Sequence, residues 1–176
     1  MDRFGSCNFV LNLFFSDLKI YVVIPAHNEE AFLRGTLDSL LNQTLLPDKI
    51  VVVDDNSTDK TAVIADDYAG KSEIVSVVKI NSSEAHLPGS KVIDAFYKGY
   101  ETLDEQFDII CKFDADLIFP PTYLQEISET FQKNPKVGMA NTDAEIFVEV
   151  DGDQVVKTNY RLRMRLLKDA VIQGIK

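Results

Sequence analysis

Five acidic side chains follow three separate apolar runs of this chain, each close to the point where its run ends. They are Glu29, Asp54, Asp55, Asp114 and Asp116. If the runs are parallel strands, their carboxyl ends meet at one edge of a sheet, where folds of this kind bind ligands. Carboxylates brought together there repel one another, so a cation or hydrogen-bond donors must compensate them. The spacing therefore predicts an acidic, ligand-binding cleft.

The segment Asp114-Ala115-Asp116 is the strongest candidate for a metal site in this cleft. An Asp-x-Asp pair at a strand end places two hard oxygen ligands on the same side of the pleat. Mg²⁺ and Mn²⁺ are typically held by one or two carboxylates together with substrate phosphates. We therefore expect a metal–diphosphate site here. The simpler alternative is that Asp114 or Asp116 caps the turn that follows.

Two common phosphate-binding motifs are absent from the sequence. There is no Gly-x-Gly-x-x-Gly after the first apolar run and no Gly-x-x-x-x-Gly-Lys-Ser/Thr, which excludes the usual dinucleotide and P-loop sites. Phosphate charge must then be met by a metal or by isolated basic groups. Lys91 follows Pro88-Gly89-Ser90 at the start of a predicted helix, and a helix N-terminus and a lysine both favour phosphate. An ordinary exposed lysine is the alternative.

Strands and helices are predicted to alternate along the chain, and this alternation must position the acidic groups. Each β-branched apolar run reads as a strand buried on both faces, and each segment between runs has apolar residues at helical spacing. Asn28 is expected to cap the first helix, and Asp59 or Ser57 the second. The predicted fold is α/β, a mostly parallel sheet flanked by helices. The predicted strands are 20–24, 50–53, 74–78 and 108–113, and the later helices are 91–103 and 120–132.

The last quarter of the chain has a different pattern. Residues 144–150 alternate, Asp151-Gly152 is a hairpin signal, and residues 154–157 would form the return strand. We expect Glu145 and Glu149, which alternate on one strand face, to face solvent. Apolar spacing over 160–175 predicts a final helix.

Bulk properties narrow the class of protein. The 176 residues suit one domain, and the net charge of −10 argues against nucleic acid as the main partner. Residues 151–176 carry a net charge of +3, a composition suited either to an anionic membrane surface or to a solvated helix. The apolar run at 9–15 is too short to span a membrane. Cys7 and Cys111 form no disulfide framework, and Cys111 is expected to be a buried free thiol in a cytoplasmic protein.

Four segments, in this order, resemble the motifs of the family 2 glycosyltransferases, which have the GT-A (Rossmann-like) fold. The resemblance covers residues 19–140 and is carried by the four segments together. The segments are Val23-Ile24-Pro25-Ala26-His27-Asn28-Glu29-Glu30, Val51-Val52-Val53-Asp54-Asp55-Asn56-Ser57-Thr58-Asp59, Gly89-Ser90-Lys91 with Gly99, and Phe113-Asp114-Ala115-Asp116.

The resemblance implies a role for each matching residue. Pro25, Ala26 and His27 would line the nucleobase pocket, where His27 would either stack on the base or bond to its edge. The resemblance further implies that Glu29 and Asp55 hold base or ribose groups, with Asp54 in support. It places Asp114 near the ribose or the metal and makes Asp116 a metal ligand. Lys91 would approach the diphosphate. The implied cofactor is Mg²⁺ or Mn²⁺ and the implied donor is a nucleoside-diphosphate sugar. Its sugar would pass with inversion to an unknown saccharide or lipid-linked acceptor.

The resemblance also implies a division of the chain. Residues 1–17 would be an extension outside the fold, 18–140 the nucleotide-sugar-binding domain, and 141–176 an incomplete start of an acceptor-side region. The family's general base lies well beyond the Asp-x-Asp motif, and residues 141–176 contain no convincing match to it. The alternative is therefore a remnant that binds nucleotide sugars without turnover. We expect the chain to be cytoplasmic, either free or peripheral at the inner membrane face.

Three other acidic-pocket folds fit less well. A phosphoacceptor receiver domain would carry its Asp-Asp pair after the first strand, whereas Asp54 and Asp55 follow the second. A phosphatase of the haloacid dehalogenase type would have Gly-Thr after Asp-x-Asp, where this chain has Leu117-Ile118. A sugar nucleotidyltransferase would have a glycine-rich loop after the first strand.

Overall fold

The computed structural model describes residues 18–82, 90–133, 139–140, 143–150, 153–161 and 164–166. Strands and helices alternate through the first four strands, as the sequence predicts. The elements are β1 (Ile20–Ala26), α1 (Leu33–Leu41), β2 (Lys49–Asp55), α2 (Thr61–Lys71), β3 (Val75–Ile80), α3 (Ser90–Tyr100), β4 (Ile109–Lys112), α4 (Tyr123–Lys133), β5 (Met139–Ala140), β6 (Asp143–Val150), β7 (Asp153–Arg161) and β8 (Met164–Leu166). Among the described residues, none of the helices has the length and apolar character needed to cross a membrane.

The main sheet has six strands in the order β3-β2-β1-β4-β8-β5. Strands β1 to β4 are parallel, whereas β8 is antiparallel to β4 and pairs with β5. Because β1 to β4 are parallel, the loops after β1, β2 and β4 leave from the same edge of the sheet. The strand order reverses at β1, which has β2 on one side and β4 on the other. This arrangement confirms the predicted α/β class with a mostly parallel sheet.

Both faces of the central strands are covered by helices. In β1, Val22 and Ile24 pack with α1, α2 and α4, while Tyr21 and Val23 pack with α3 on the other face. The side chains of Val22, Val23 and Ile24 are fully buried. Alternate residues of a strand point to opposite faces, so a strand covered on both faces must be apolar throughout. This explains the continuous apolar runs in the sequence.

The first helix begins later than the predicted cap implied. Helix α1 starts at Leu33 after a turn, and its N-cap residue, Phe32, makes no side-chain cap bond. Asn28 has a left-handed φ of 57° and uses its side-chain oxygen to accept a hydrogen bond from the Thr58 backbone N–H at 2.8 Å. The prediction that Asn28 caps α1 was wrong, because its side-chain oxygen bonds instead to Thr58 in the loop after β2. The N-cap of α2 is Lys60, without a side-chain cap bond, so the prediction of Asp59 or Ser57 was wrong. Asp59 lies one residue earlier, and its Oδ1 accepts a bond from the Thr61 N–H at 2.9 Å.

The final region contains strands where a helix was expected. Strands β6 and β7 pair antiparallel, with Val150 opposite Asp153, which confirms the predicted hairpin. Strand β7 continues to Arg161 and β8 follows, so the helix predicted from Tyr160 is wrong over the described residues. Basic residues at 161, 163 and 165 alternate with apolar residues at 162, 164 and 166, a period of two that favours a strand.

Several predictions fall outside the described residues. These are the extension at 1–17 with Cys7, the loop at 83–89, and the remainder of the basic tail at 167–176. The boundary at residue 140 stays a prediction, although β8, from beyond it, lies in the main sheet. Cys111 is fully buried, as expected, and forms no disulfide with any described residue.

Candidate functional site

A cavity of about 620 Å³ opens at the carboxyl edge of the sheet, beside β1, β2, β4 and the start of α3. It lies where the strand order reverses, the position at which α/β sheets bind ligands. Eight of the nine predicted site residues line it. They are Pro25, Ala26, His27, Glu29, Asp55, Lys91, Asp114 and Asp116, and the remaining lining residues are Asn56, Ser82, Val92, Ala95 and Ala115.

Asp54 is the predicted site residue that does not line the cavity. Neighbours in a strand point to opposite faces, so Asp55 shares the α3 face with Val53 while Asp54 faces the other side. Asp54 is 5% exposed, and its Oδ1 has no hydrogen-bond partner among the described residues. Four of the five predicted carboxylates therefore meet in the cavity, and the supporting role of Asp54 stays a prediction.

The side chain of Asp55 is held by Ser82, two residues after the end of β3. Its Oδ1 accepts a bond from the Ser82 N–H at 2.9 Å and its Oδ2 accepts one from the Ser82 hydroxyl at 2.6 Å. The carboxylate is 6% exposed, and these bonds compensate its burial. Ser82 was missed in the sequence because it lies in a polar loop with no distinguishing spacing.

His27 has both ring nitrogens engaged. Its Nδ1 lies 2.6 Å from the backbone oxygen of Asp55 and must be the donor, because a carbonyl only accepts. Its Nε2 lies 3.2 Å from Nδ2 of Asn28 and is placed to accept from that amide. Both ring nitrogens thus have protein partners, and the choice between stacking on the base and bonding to its edge stays a prediction.

The two carboxylates of the Asp114-Ala115-Asp116 turn differ in how their charge is compensated. Lys112 Nζ lies 2.6 Å from Asp114 Oδ1 and neutralises that carboxylate. Asp116 has no such ion pair among the described residues, and its pKa is raised, first by burial and then by the charge of Asp114. The pKa of Glu29 is also raised, first by burial and then by the charge of Asp116. Excess negative charge is thus concentrated at Glu29 and Asp116.

The donor set fits a hard divalent cation shared with a ligand. Across the described residues no group of three or more His, Cys, Asp or Glu side chains could enclose a metal. A closed zinc site would need four such ligands. Mg²⁺ or Mn²⁺ needs only one or two carboxylates when phosphate oxygens and water complete the coordination, and Asp114 and Asp116 supply that number.

The loops after β1 and β2 are tied together by hydrogen bonds that the sequence did not reveal. The Glu29 N–H donates to Thr61 Oγ1 at 2.7 Å, and the Asn28 N–H donates to Ser57 Oγ at 3.0 Å. The Glu30 N–H donates to Asp59 Oδ2 at 3.1 Å. These bonds fix the backbone that carries Glu29 and His27 into the cavity. The only signal was the run of short polar residues after Asp55, read there as a turn and cap.

Comparisons with known proteins agree with this geometry. The family model described as "Glycosyl transferase family 2" matches residues 21–170. The probable glycosyltransferase YdaM of Bacillus subtilis is 35% identical over 100 residues, which cover 56% of this chain and 23% of that protein. The chain thus spans about a quarter of that relative.

Two solved structures have the same fold. The S. aureus TarS 1–349 complex with UDP-GlcNAc has a TM-score of 0.55 at 21% identity and covers 69% of this chain and 33% of that one. The mannosyltransferase PcManGT of Pyrobaculum calidifontis, in complex with GDP-Man and Mn²⁺, has a TM-score of 0.56 at 22% identity. It covers 70% of this chain and 35% of that one. At these identities the likeness establishes the fold alone.

Proposed function

The chain belongs to glycosyl transferase family 2, and we propose that it binds a nucleoside-diphosphate sugar with a divalent cation and transfers the sugar to an acceptor hydroxyl with inversion. The observation that carries the proposal is the cavity at the carboxyl edge, which gathers Asp114, Asp116, Glu29, His27 and Lys91 from separate elements. The bound GDP-Man and Mn²⁺ of PcManGT support the ligand class, since that protein shares the fold.

The nucleoside would occupy the end of the cavity near β2. His27 is exposed and has partners at both ring nitrogens, so its ring would stack on the base, and Pro25 and Ala26 would provide apolar contact beside it. Asp55 has both oxygens bonded to Ser82 but each keeps acceptor capacity for a ligand N–H or hydroxyl. Glu29 would accept from the ribose.

The diphosphate would lie between Asp116 and the start of α3. Asp116 and Asp114 would hold Mg²⁺ or Mn²⁺, which supplies positive charge where the leaving diphosphate gains negative charge. Lys91 lines the same cavity from the first turn of α3, and its charge together with the helix N-terminus would attract the phosphate oxygens. Burial and then the charge of a neighbouring carboxylate raise the pKa values of Glu29 and Asp116, and the cation would relieve that repulsion.

In a single displacement, the acceptor hydroxyl attacks the anomeric carbon as the nucleoside diphosphate leaves, which inverts the configuration. A carboxylate must take the hydroxyl proton in this step. Among the residues lining the cavity, the assigned carboxylates are committed to donor and cation. The base is therefore left unassigned.

The binding half of the proposal is tested by calorimetric titration of UDP, GDP, ADP, CDP and dTDP with and without Mn²⁺. We expect one of them to bind in a Mn²⁺-dependent manner. Asp116→Ala should weaken that binding at least about 10-fold, which corresponds to about 1.4 kcal/mol. Asp66→Ala is the matched control, because Asp66 lies on α2 in an exposed ion pair with Lys79. Absence of binding by every nucleotide would refute the proposal.

Turnover is tested separately by release of the nucleoside diphosphate from sugar donors of the base that binds. Release that requires Mn²⁺ and Asp116 would support transfer. Tight donor binding without release, under conditions that include candidate saccharide acceptors, would favour the binding-only alternative.

A further inference from the structure

Helix α1 and the turn after it carry three polar side chains beside the apolar core, two of them buried. Thr36, Ser39 and Gln43 are spaced so that they lie along one side of α1 and the turn after it. Thr36 is fully buried and Gln43 is 6% exposed, next to the buried side chains of Leu37 and Leu40. Buried polar groups cost stability unless they are hydrogen-bonded, so this line of residues needs partners.

The partner of Thr36 lies in the Asp-x-Asp turn. The Thr36 hydroxyl donates to the backbone oxygen of Ala115 at 2.6 Å, whereas its contact with the oxygen of Phe32 in its own helix is 3.5 Å. Ala115 stands between Asp114 and Asp116, and its side chain is 3% exposed. The bond therefore fixes the peptide on which both carboxylates depend for their direction.

The other two side chains bind the chain that leads away from this turn. Ser39 Oγ accepts a hydrogen bond from the Phe119 N–H at 3.2 Å and donates one to the backbone oxygen of Thr36 at 2.8 Å. The Gln43 amide donates to the oxygen of Pro120 at 2.6 Å, and its own oxygen accepts from the Leu124 N–H at 3.0 Å.

The segment from 113 to 122 lies between β4 and α4 and belongs to neither element. Its side chains alternate in burial, since Phe113, Ala115, Leu117 and Phe119 are buried while Asp114 and Asp116 are half-buried in the cavity. Backbone groups in such a packed segment need hydrogen-bond partners that a helix or sheet would otherwise supply. Side chains of α1 and of the turn after it supply these partners to the backbone at 115, 119 and 120, and to the backbone at 124 in the first turn of α4.

We propose that Thr36, Ser39 and Gln43 are positioning residues that hold the 114–124 segment so that Asp114 and Asp116 face the cavity together. The inference rests on the proposed function and extends it to residues that do not touch the ligand. Thr36 has the largest effect on cation and diphosphate binding, because its bond is made to the residue between the two carboxylates.

Thr36→Val tests this inference, because it keeps the shape of the side chain and removes the hydroxyl. Thr36→Ser keeps the hydroxyl and loses one methyl group. Thr44→Val is the matched control, because Thr44 is exposed and its hydroxyl bonds only to the side chain of Gln125 among the described contacts. Each variant is titrated with Mn²⁺ alone and with the nucleoside diphosphate plus Mn²⁺, at a temperature where circular dichroism shows it folded.

We expect Thr36→Val to weaken both titrations about 10-fold, equivalent to about 1.4 kcal/mol. Thr36→Ser and Thr44→Val should stay near wild type. A purely structural role would lower the melting temperature of Thr36→Val but leave the affinity of the folded protein unchanged, and that result would overturn the inference. If Thr36→Val does not fold, Ser39→Ala replaces it and must weaken both titrations.

The wild-type titration separates the two proposals. A wild-type chain that binds no nucleotide refutes the proposed function, and the inference falls with it. A wild-type chain that binds, with Thr36→Val binding equally well, refutes the inference alone.

Discussion

Gly99 is the residue at which a single added methyl group should test the packing of α3 on the sheet. A Cβ atom at Gly99 would lie 2.6 Å from Val53 Cγ2 and 2.7 Å from Val23 Cγ1. Carbon atoms in contact prefer a separation of about 3.5–4.0 Å, so helix and sheet would have to separate by roughly 1 Å. The two valines cannot easily turn away, because β-branched side chains have restricted χ1 angles.

The expected change in the free energy of unfolding is the sum of two opposed effects of Gly99→Ala. Overpacking of a buried contact costs about 1–3 kcal/mol. The higher helix propensity of alanine returns about 1 kcal/mol. The expected net change in the free energy of unfolding is therefore a loss of about 1 kcal/mol, with roughly 0–2 kcal/mol as the range.

Gly70→Ala provides the matched control for this calculation. Gly70 lies in α2, and a Cβ atom there would meet nothing within 4 Å. This variant should gain up to about 1 kcal/mol from helix propensity alone. Both variants gain the helix propensity of alanine. The difference between their free energies of unfolding, about 1–3 kcal/mol, therefore measures the cost of overpacking at Gly99.

Equilibrium urea unfolding of the three proteins measures this difference. Gly99→Ala should also weaken nucleotide binding, because Lys91 and Ala95 move with α3, whereas Gly70→Ala should not. Adding Val53→Ala to Gly99→Ala should restore part of the binding, because it removes one of the two clashes and leaves the one with Val23. If Gly99→Ala proved as stable as Gly70→Ala, the close approach of α3 to β1 and β2 would be wrong.

Two further predictions concern the charge of the cavity. The pKa values of Glu29 and Asp116 are raised in the folded state. The metal-free protein should therefore become more stable as pH falls from 7, through these pKa values, towards the ordinary carboxyl range near ~4. Asp116→Asn should reduce this slope in urea unfolding at pH 7 and 5, and an unchanged slope would contradict the charge assignment. Lys112→Met should tighten Mn²⁺ binding by freeing Asp114, with a stability change below about 1 kcal/mol because both partners are partly exposed. Weaker Mn²⁺ binding would show that Lys112 does not compete with the cation.

The main features of the fold could be predicted because each rests on a local pattern. Apolar runs such as 20–24 and 50–53 are continuous because both faces of those strands are covered, and this leaves a signal in the sequence. The end of each run marked the edge of the sheet, which is why eight of nine site residues were found in the cavity. The helix predicted from Tyr160 failed because two periodicities overlap there, and pairing with β4 selects the strand.

The sequence by itself determined which residue types stand at the ends of the strands, and hence that an acidic cavity would form there. Tertiary structure alone decided how each charge is compensated. Lys112 pairs with Asp114 and Ser82 holds Asp55, while burial and then the charge of Asp116 raise the pKa of Glu29. It also decided that Asp54 faces away and that Thr36 supports the Asp-x-Asp turn from a helix 79 positions earlier in the chain. The contacts of Asp55 with Ser82 and of Thr36 with Ala115 join residues distant in sequence, so no local periodicity records them.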